Sequence, residues 1–169
     1  MSLTVAYATD TRHVLGALAA SGPLASGPLA PGDLVGEGLP LWVSRQDGTV
    51  DDLTVPAARL SVAAVADEPG VLVAPRDYEV PEEGGALRAL APWTGGITLA
   101  ADGVTVTVSR PVTEPAPVLV AIAGGPPLLG RIGVGERETT VGVRVAEGKH
   151  GVLVLVRGWA GRLELVERT

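Results

Sequence analysis

Cysteine, phenylalanine and asparagine are absent from this 169-residue chain, and lysine occurs once, at Lys149. Without cysteine there is no disulfide framework, no thiolate nucleophile and no cysteine-ligated metal. Charged residues make up 19% of the chain, below the roughly 25% of an average globular protein. The missing residue types, set beside abundant Ala, Gly, Val, Pro and Arg, read as the codon bias of a GC-rich bacterial genome. The net charge of −6 offers no basic stripe to release counterions, which argues against nucleic acid or an anionic membrane as the main partner. No apolar run approaches the roughly 20 residues of a membrane-spanning helix. The longest candidates, "VLVAIAGGPPLLG" and "GVLVLVRGW", are cut by Pro, Gly or Arg. "TRHVLGALAASG" has the small-residue end of a signal peptide, but Asp10 precedes it and Leu3, Val5 and Tyr7 already alternate like a strand. It is read as part of the folded body. The expected location is the cytoplasm or an assembled particle, with secretion the alternative.

Chemistry is as sparse as charge. A serine triad needs a base, and the only histidines are His13, beside an expected turn, and His150, in the loop 147–151. No Gly-x-Ser-x-Gly elbow occurs, and Ser44 and Ser61 have no distinctive context. His-x-His, His-Glu-x-x-His and EF-hand patterns are missing. Asp47, Asp51 and Asp52 lie close in sequence, but Asp47 suits a turn and adjacent strand residues point to opposite faces. Glu82-Glu83 reads as a solvated loop tip. The glycines of 130–135 lack both a following helix and the P-loop lysine. No catalytic residue, metal or cofactor is therefore expected, and an enzyme, such as a hydrolase, is the last of three readings.

What is present is sheet. In "GITLAADGVTVTVSR" (96–110), Val104, Val106 and Val108 alternate with Thr105, Thr107 and Ser109, the period of a strand with one buried face. Asp102-Gly103 suits a tight type I′ turn, which sets Leu99 against Val106, Ile97 against Val108 and Thr98 against Thr107. Seven strands are expected in this half, at 97–101, 104–110, 117–123, 127–133, 138–146, 152–157 and 162–167. "VLVLV" (152–156) is apolar on both faces and should be central. Upstream, strands are expected at 3–8, 13–20, 39–45, 49–55, 58–66, 71–74 and 77–80. Asp47-Gly48 and Pro69-Gly70 mark turns among them. Ser-Gly-Pro-Leu-Ala is written twice within 21–33, in a Pro/Gly loop (21–38) that serves as a surface loop or an extended arm. The expected fold is all-β in two units: a β-rich domain at 1–91 and, at 92–169, a seven-stranded antiparallel sandwich.

"GITLAADGVTVTVSRP" and "VAEGKHGVLVLVRGW" resemble the small sandwiches of the transthyretin and carboxypeptidase-regulatory kind, in which a polar loop and Gly precede an aromatic and an alternating strand. The resemblance covers the last 75 or so residues and implies an Ig- or transthyretin-like architecture. His150-Gly151 stands where the aromatic would be, so it implies architecture alone.

The tryptophans carry the interaction signal. Trp42 shares a strand face with Pro40 and Ser44, opposite Leu39, Leu41 and Val43. If the leucines are core, Trp42 faces outward, where another subunit or a sugar covers it. Trp93 and Trp159 are either further contact points or plugs at the ends of the sandwich, and Leu24 and Leu29 of the Pro/Gly loop complete the candidate contacts. Low charge, a 46% hydrophobic fraction and Pro/Gly arms lead to the first expectation, a non-enzymatic assembly subunit of a larger bacterial or phage particle, of the phage-tail-like or contractile-injection type. Its partners would be proteins or further copies of itself. A carbohydrate- or protein-binding module using an exposed tryptophan is the alternative.

Overall fold

In the computed structural model, which describes residues 2–20 and 29–169, the chain is all-β and its sheets are antiparallel. In chain order the elements are β1 (Ser2–Ala8), β2 (Val14–Ala20), the short helix α1 (Pro31–Val35), β3 (Gly38–Ser44), β4 (Val50–Pro56), β5 (Leu60–Val65), β6 (Tyr78–Glu79) and β7 (Arg88–Ala89). The second half holds β8 (Ile97–Ala100), β9 (Gly103–Thr107), β10 (Ala116–Ile122), β11 (Leu128–Ile132), β12 (Glu138–Gly142), β13 (Lys149–Val156) and β14 (Arg162–Glu167). The strand expected at 13–20, whose Gly16 argues against a helix, forms as β2 over Val14–Ala20. Leu24 and most of the tandem repeat lie outside the described residues. α1 begins where the repeat ends, with Pro31 at its first position and the Asp33 carboxylate accepting from the Ala30 N–H at 2.9 Å.

The second half makes two sheets, ordered β11-β10-β13-β14 and β12-β9-β8. Period-two alternation sorts their side chains. Val118, Val120, Val152, Val154 and Val156 point into one hydrophobic cluster with Leu99, Val104, Val106 and Val141 of the other sheet. The opposite face of the four-stranded sheet is buried too. Leu119, Ala121, Leu153 and Leu155 pack against Ala8, Leu15, Leu41, Leu53, Val55 and Leu60 from the first half. This double burial is why 152–156 carries no polar residue, and β13 is indeed internal, between β10 and β14.

The hairpin β8–β9 forms, but in another register. Leu99 pairs with Val104 and Thr98 with Thr105, so Ala101-Asp102 makes the turn. Gly103 is claimed by the third strand: it pairs with Gly142, and a Cβ there would lie 2.9 Å from Thr140 Cγ2 and 3.1 Å from the Val141 carbonyl. The glycine serves close approach, and neither turn residue has a positive φ. A slip by an even number of residues keeps every valine on the core face, so hydrophobic patterning alone does not distinguish the two registers. Asp47-Gly48 behaves as its sequence suggests. Gly48 has φ +83°, and the Asp47 carboxylate accepts from the N–H and the hydroxyl of Thr49.

In the first half β2-β1-β5 form one sheet and β3-β4 a separate hairpin. The expected strand at 71–74 is absent. Pro69 and Pro75 each open a 3₁₀ turn, Pro69–Leu72 and Pro75–Asp77, and the Glu68 side chain caps the first by accepting from the Gly70 N–H. Val71 is buried against Leu3, Val5, Val14 and Val80, while Val73 is 88% exposed.

Candidate functional site

The hairpin β3–β4 has one apolar buried face and one exposed face. Leu41, Leu53 and Val55 point inward onto the outer face of the four-stranded sheet. Period two then sends Pro40, Trp42 and Ser44 outward, paired with Thr54, Asp52 and Val50 of β4. Trp42 is 65% exposed, and Val50 beside it is also exposed. An indole left in water on a rigid strand is the residue type that most often anchors an interface. Asp52, directly opposite, supplies a carboxylate at the rim.

The hairpin is fixed from beneath by Asp51. Its carboxylate receives both Nε and Nη2 of Arg45, at 2.8 and 2.9 Å, and the main-chain N–H of Gly151 at 2.6 Å. Arg45 also donates to the Lys149 carbonyl at 2.7 Å. The Arg45 hydrogen bonds hold the Asp51 carboxyl below the usual carboxylate range, with the Gly151 amide adding to the effect. A Cβ on residue 151 would sit 2.9 Å from Asp51 Cβ, so β13 needs glycine here. The signal in sequence was an Arg and an Asp flanking the Asp47-Gly48 turn; the glycine that completes the clasp is a hundred residues away.

His13 is the second unusual place. It exposes 0% of its surface and its bridge partner Glu79 1%. His13 Nε2 lies 2.7 Å from the Trp159 carbonyl. A carbonyl only accepts, so in the neutral ring Nε2 carries the proton and Nδ1 is bare. His13 Nδ1, Glu79 Oε2 and the buried Thr11 hydroxyl have no hydrogen-bond partner. Glu79 Oε1 takes the Arg88 guanidinium. Burial depresses the imidazole pKa, against the opposing pull of the Trp159 carbonyl, the Glu79 charge and the Thr11 backbone. A base, a carboxylate and a hydroxyl thus gather, but they are sealed from solvent, and the histidine's proton is committed to the main chain. The arrangement ties the first half to the second. Beside it the Gly161 N–H reaches the Arg76 carbonyl and the Ala160 N–H the Ala91 carbonyl, both at 2.8 Å.

The remaining candidates disperse. Trp93 and Trp159 are 8% and 7% exposed and belong to the core cluster between the two sheets. Trp93 Nε1 donates to the Thr107 carbonyl at 2.9 Å, and Arg162 lies over its ring at 5.0 Å. Leu29 is half-buried in the irregular segment ahead of α1. His150 bonds the Ala146 carbonyl. A concavity of about 530 Å³ is lined by Arg88, Arg110 and Arg157. Glu79 and Glu82 engage Arg88 and Arg157, and Glu114 shares the wall with Arg110, so its charges balance. Among the described residues no group of three potential metal ligands comes together, and no helix is long and apolar enough to cross a membrane. No family model matches the chain, and no curated protein matches it.

Proposed function

We propose that this chain is a non-enzymatic structural subunit that docks into a larger assembly through the outer face of the β3–β4 hairpin, with Trp42 as the anchor. The observation that carries the reading is the contrast within one strand: Leu41 is buried while Trp42, its neighbour, stands in solvent. A docking protein needs a rigid platform more than a cleft. Support comes from the Asp51–Gly151 clasp, which fixes the hairpin to β13. The facing sheets of the second half, with their shared valine cluster, favour the seven-stranded sandwich of Ig- or transthyretin-like architecture as the frame.

A carbohydrate-binding reading has one specific observation in its favour. Asp52 lies across from Trp42 and Thr54 across from Pro40, an aromatic platform with a carboxylate and a hydroxyl beside it. One experiment separates the two. Tagged wild type and Trp42→Ala are sized in native lysate and probed on a glycan array. The assembly reading expects wild type in a complex well above the 17.1 kDa chain or its dimer, and the variant released from it. Glycan binding that is lost in the variant favours the second reading. A wild type that travels free and binds no sugar defeats both.

A further inference from the structure

The sheet β2-β1-β5 ends in β5, whose outer edge has no strand paired to it among the described residues. Edge strands expose rows of unpaired N–H and C=O groups, and proteins blunt them with charge, proline, bulges or covering segments. Elsewhere in this molecule those devices are visible. β3 carries Pro40, β4 has Asp51 and Asp52, and β14 has Arg162, Glu164 and Glu167. β8 is covered at Leu99 by a bridge to Arg168, and the outer side of β2 is met at His13 by Glu79. β5 reads Leu-Ser-Val-Ala-Ala-Val, with no charge, proline or glycine. Among the described residues, no main-chain group outside β1 bonds to 61–65.

The ladder to β1 fixes which groups are free. The Thr9 N–H donates to the Arg59 carbonyl at 3.0 Å, so the odd positions of the strand turn their main-chain groups toward β1. Val62 and Ala64 therefore point theirs outward, and Ala64 is exposed. Charges lie just past each end of the run: Arg59 before it, Asp67 and Glu68 after it. An extended partner laid antiparallel with the same sequence meets both requirements together. With the two-fold at Ala63, Val62 of each copy exchanges hydrogen bonds with Ala64 of the other, and Arg59 of each comes opposite Asp67 of the other. A parallel arrangement would instead set Arg59 against Arg59. Arg59 holds Asp10 of its own copy only at 3.5 Å, leaving most guanidinium donors available.

We propose that the open edge of β5 pairs antiparallel with β5 of a second copy, joining two three-stranded sheets into one across a two-fold at Ala63. This goes beyond docking through Trp42 and does not depend on it, since the two surfaces belong to different sheets.

Sedimentation velocity of the purified chain, from about 1 μM to about 1 mM, tests it. The expected result is a concentration-dependent doubling of mass. Ala64→Pro removes an outward N–H that makes no internal bond, and should abolish the dimer. Arg59→Glu should weaken it by about tenfold through two lost pairs and the repulsion that replaces them. The double variant Arg59→Glu with Asp67→Arg should restore it. Should Ala64→Pro fail to fold, the charge reversal and its rescue decide the matter. A wild type that stays at the monomer mass throughout overturns the proposal, as does a dimer indifferent to Ala64→Pro and to charge reversal. Loss of the dimer leaves the Trp42 reading standing, because that reading is judged by a complex larger than a dimer.

Discussion

Trp42 and Trp93 are the same residue in two regions with opposite fates, and the difference lies in what surrounds them. Trp93 follows Pro92 in a loop ahead of β8, where its ring joins a buried cluster rich in valine and its N–H has a carbonyl to meet. Trp42 stands in a seven-residue strand whose inner side is already taken by Leu39, Leu41 and Val43. A strand has only two faces, and a large apolar residue on the outer one has no core to enter. Aromatic composition alone says nothing about burial; local periodicity does.

This contrast can be broken by substitution, and the largest effect should come from the enclosed ring. Trp93→Ala removes a packed side chain and leaves the Thr107 carbonyl without its donor, at an expected cost of about 3–5 kcal/mol. Chemical denaturation would check it, and a loss below about 1 kcal/mol would deny Trp93 its place in the core. Leu153→Ala, in the layer between the two halves, should cost about 2–5 kcal/mol by the same assay. Gly151→Ala drives a methyl into Asp51 and should cost about 1–3 kcal/mol. A crystal structure of that variant should show the hairpin β3–β4 displaced from β13. Trp42→Ala should alter folding stability by no more than about 0.5 kcal/mol while removing the docking anchor. An unfolded Trp42→Ala would make this tryptophan structural after all.

Acid should weaken the junction between the halves, with a sign set by His13. Burial holds the imidazole pKa below its unfolded value, so the folded protein resists a proton that the unfolded chain accepts. The corresponding stability is fully present above pH about 6.5 and declines as pH falls below it, by at most about 1.4 kcal/mol per pH unit. Equilibrium unfolding between pH 8 and 5 should show this slope, and His13→Gln should flatten it. An unchanged slope in the variant would show that His13 does not carry it, since the contribution of Asp51, whose carboxyl is held below the usual range, falls away only at lower pH, outside this window.

The second half of the chain was legible because its rule is local. Alternation in Val104–Val108 and the two-faced apolarity of 152–156 follow from burial on one side or both, and all seven strands formed near their expected places. What patterning could not supply was the register of β8–β9, which depends on Gly103 meeting β12 far along the chain. In the first half the valines of 71–74 invited a strand, but Pro69 and Pro75 imposed turns, and Val71 found burial as a single residue. The outward face of Trp42 followed from counting by two. The Asp51–Gly151 clasp and the His13–Trp159 bond did not, because the paired residues lie 100 and 146 positions apart and no spacing rule connects them.

Hydroxyl-radical footprinting of the chain, free and in native lysate complexes, tests the central claim most directly. Trp42 should be strongly oxidised in the free chain and clearly protected in the complex, with low, unchanged oxidation of Trp93 and Trp159 in both. Equal labelling of Trp42 in the two states would contradict it.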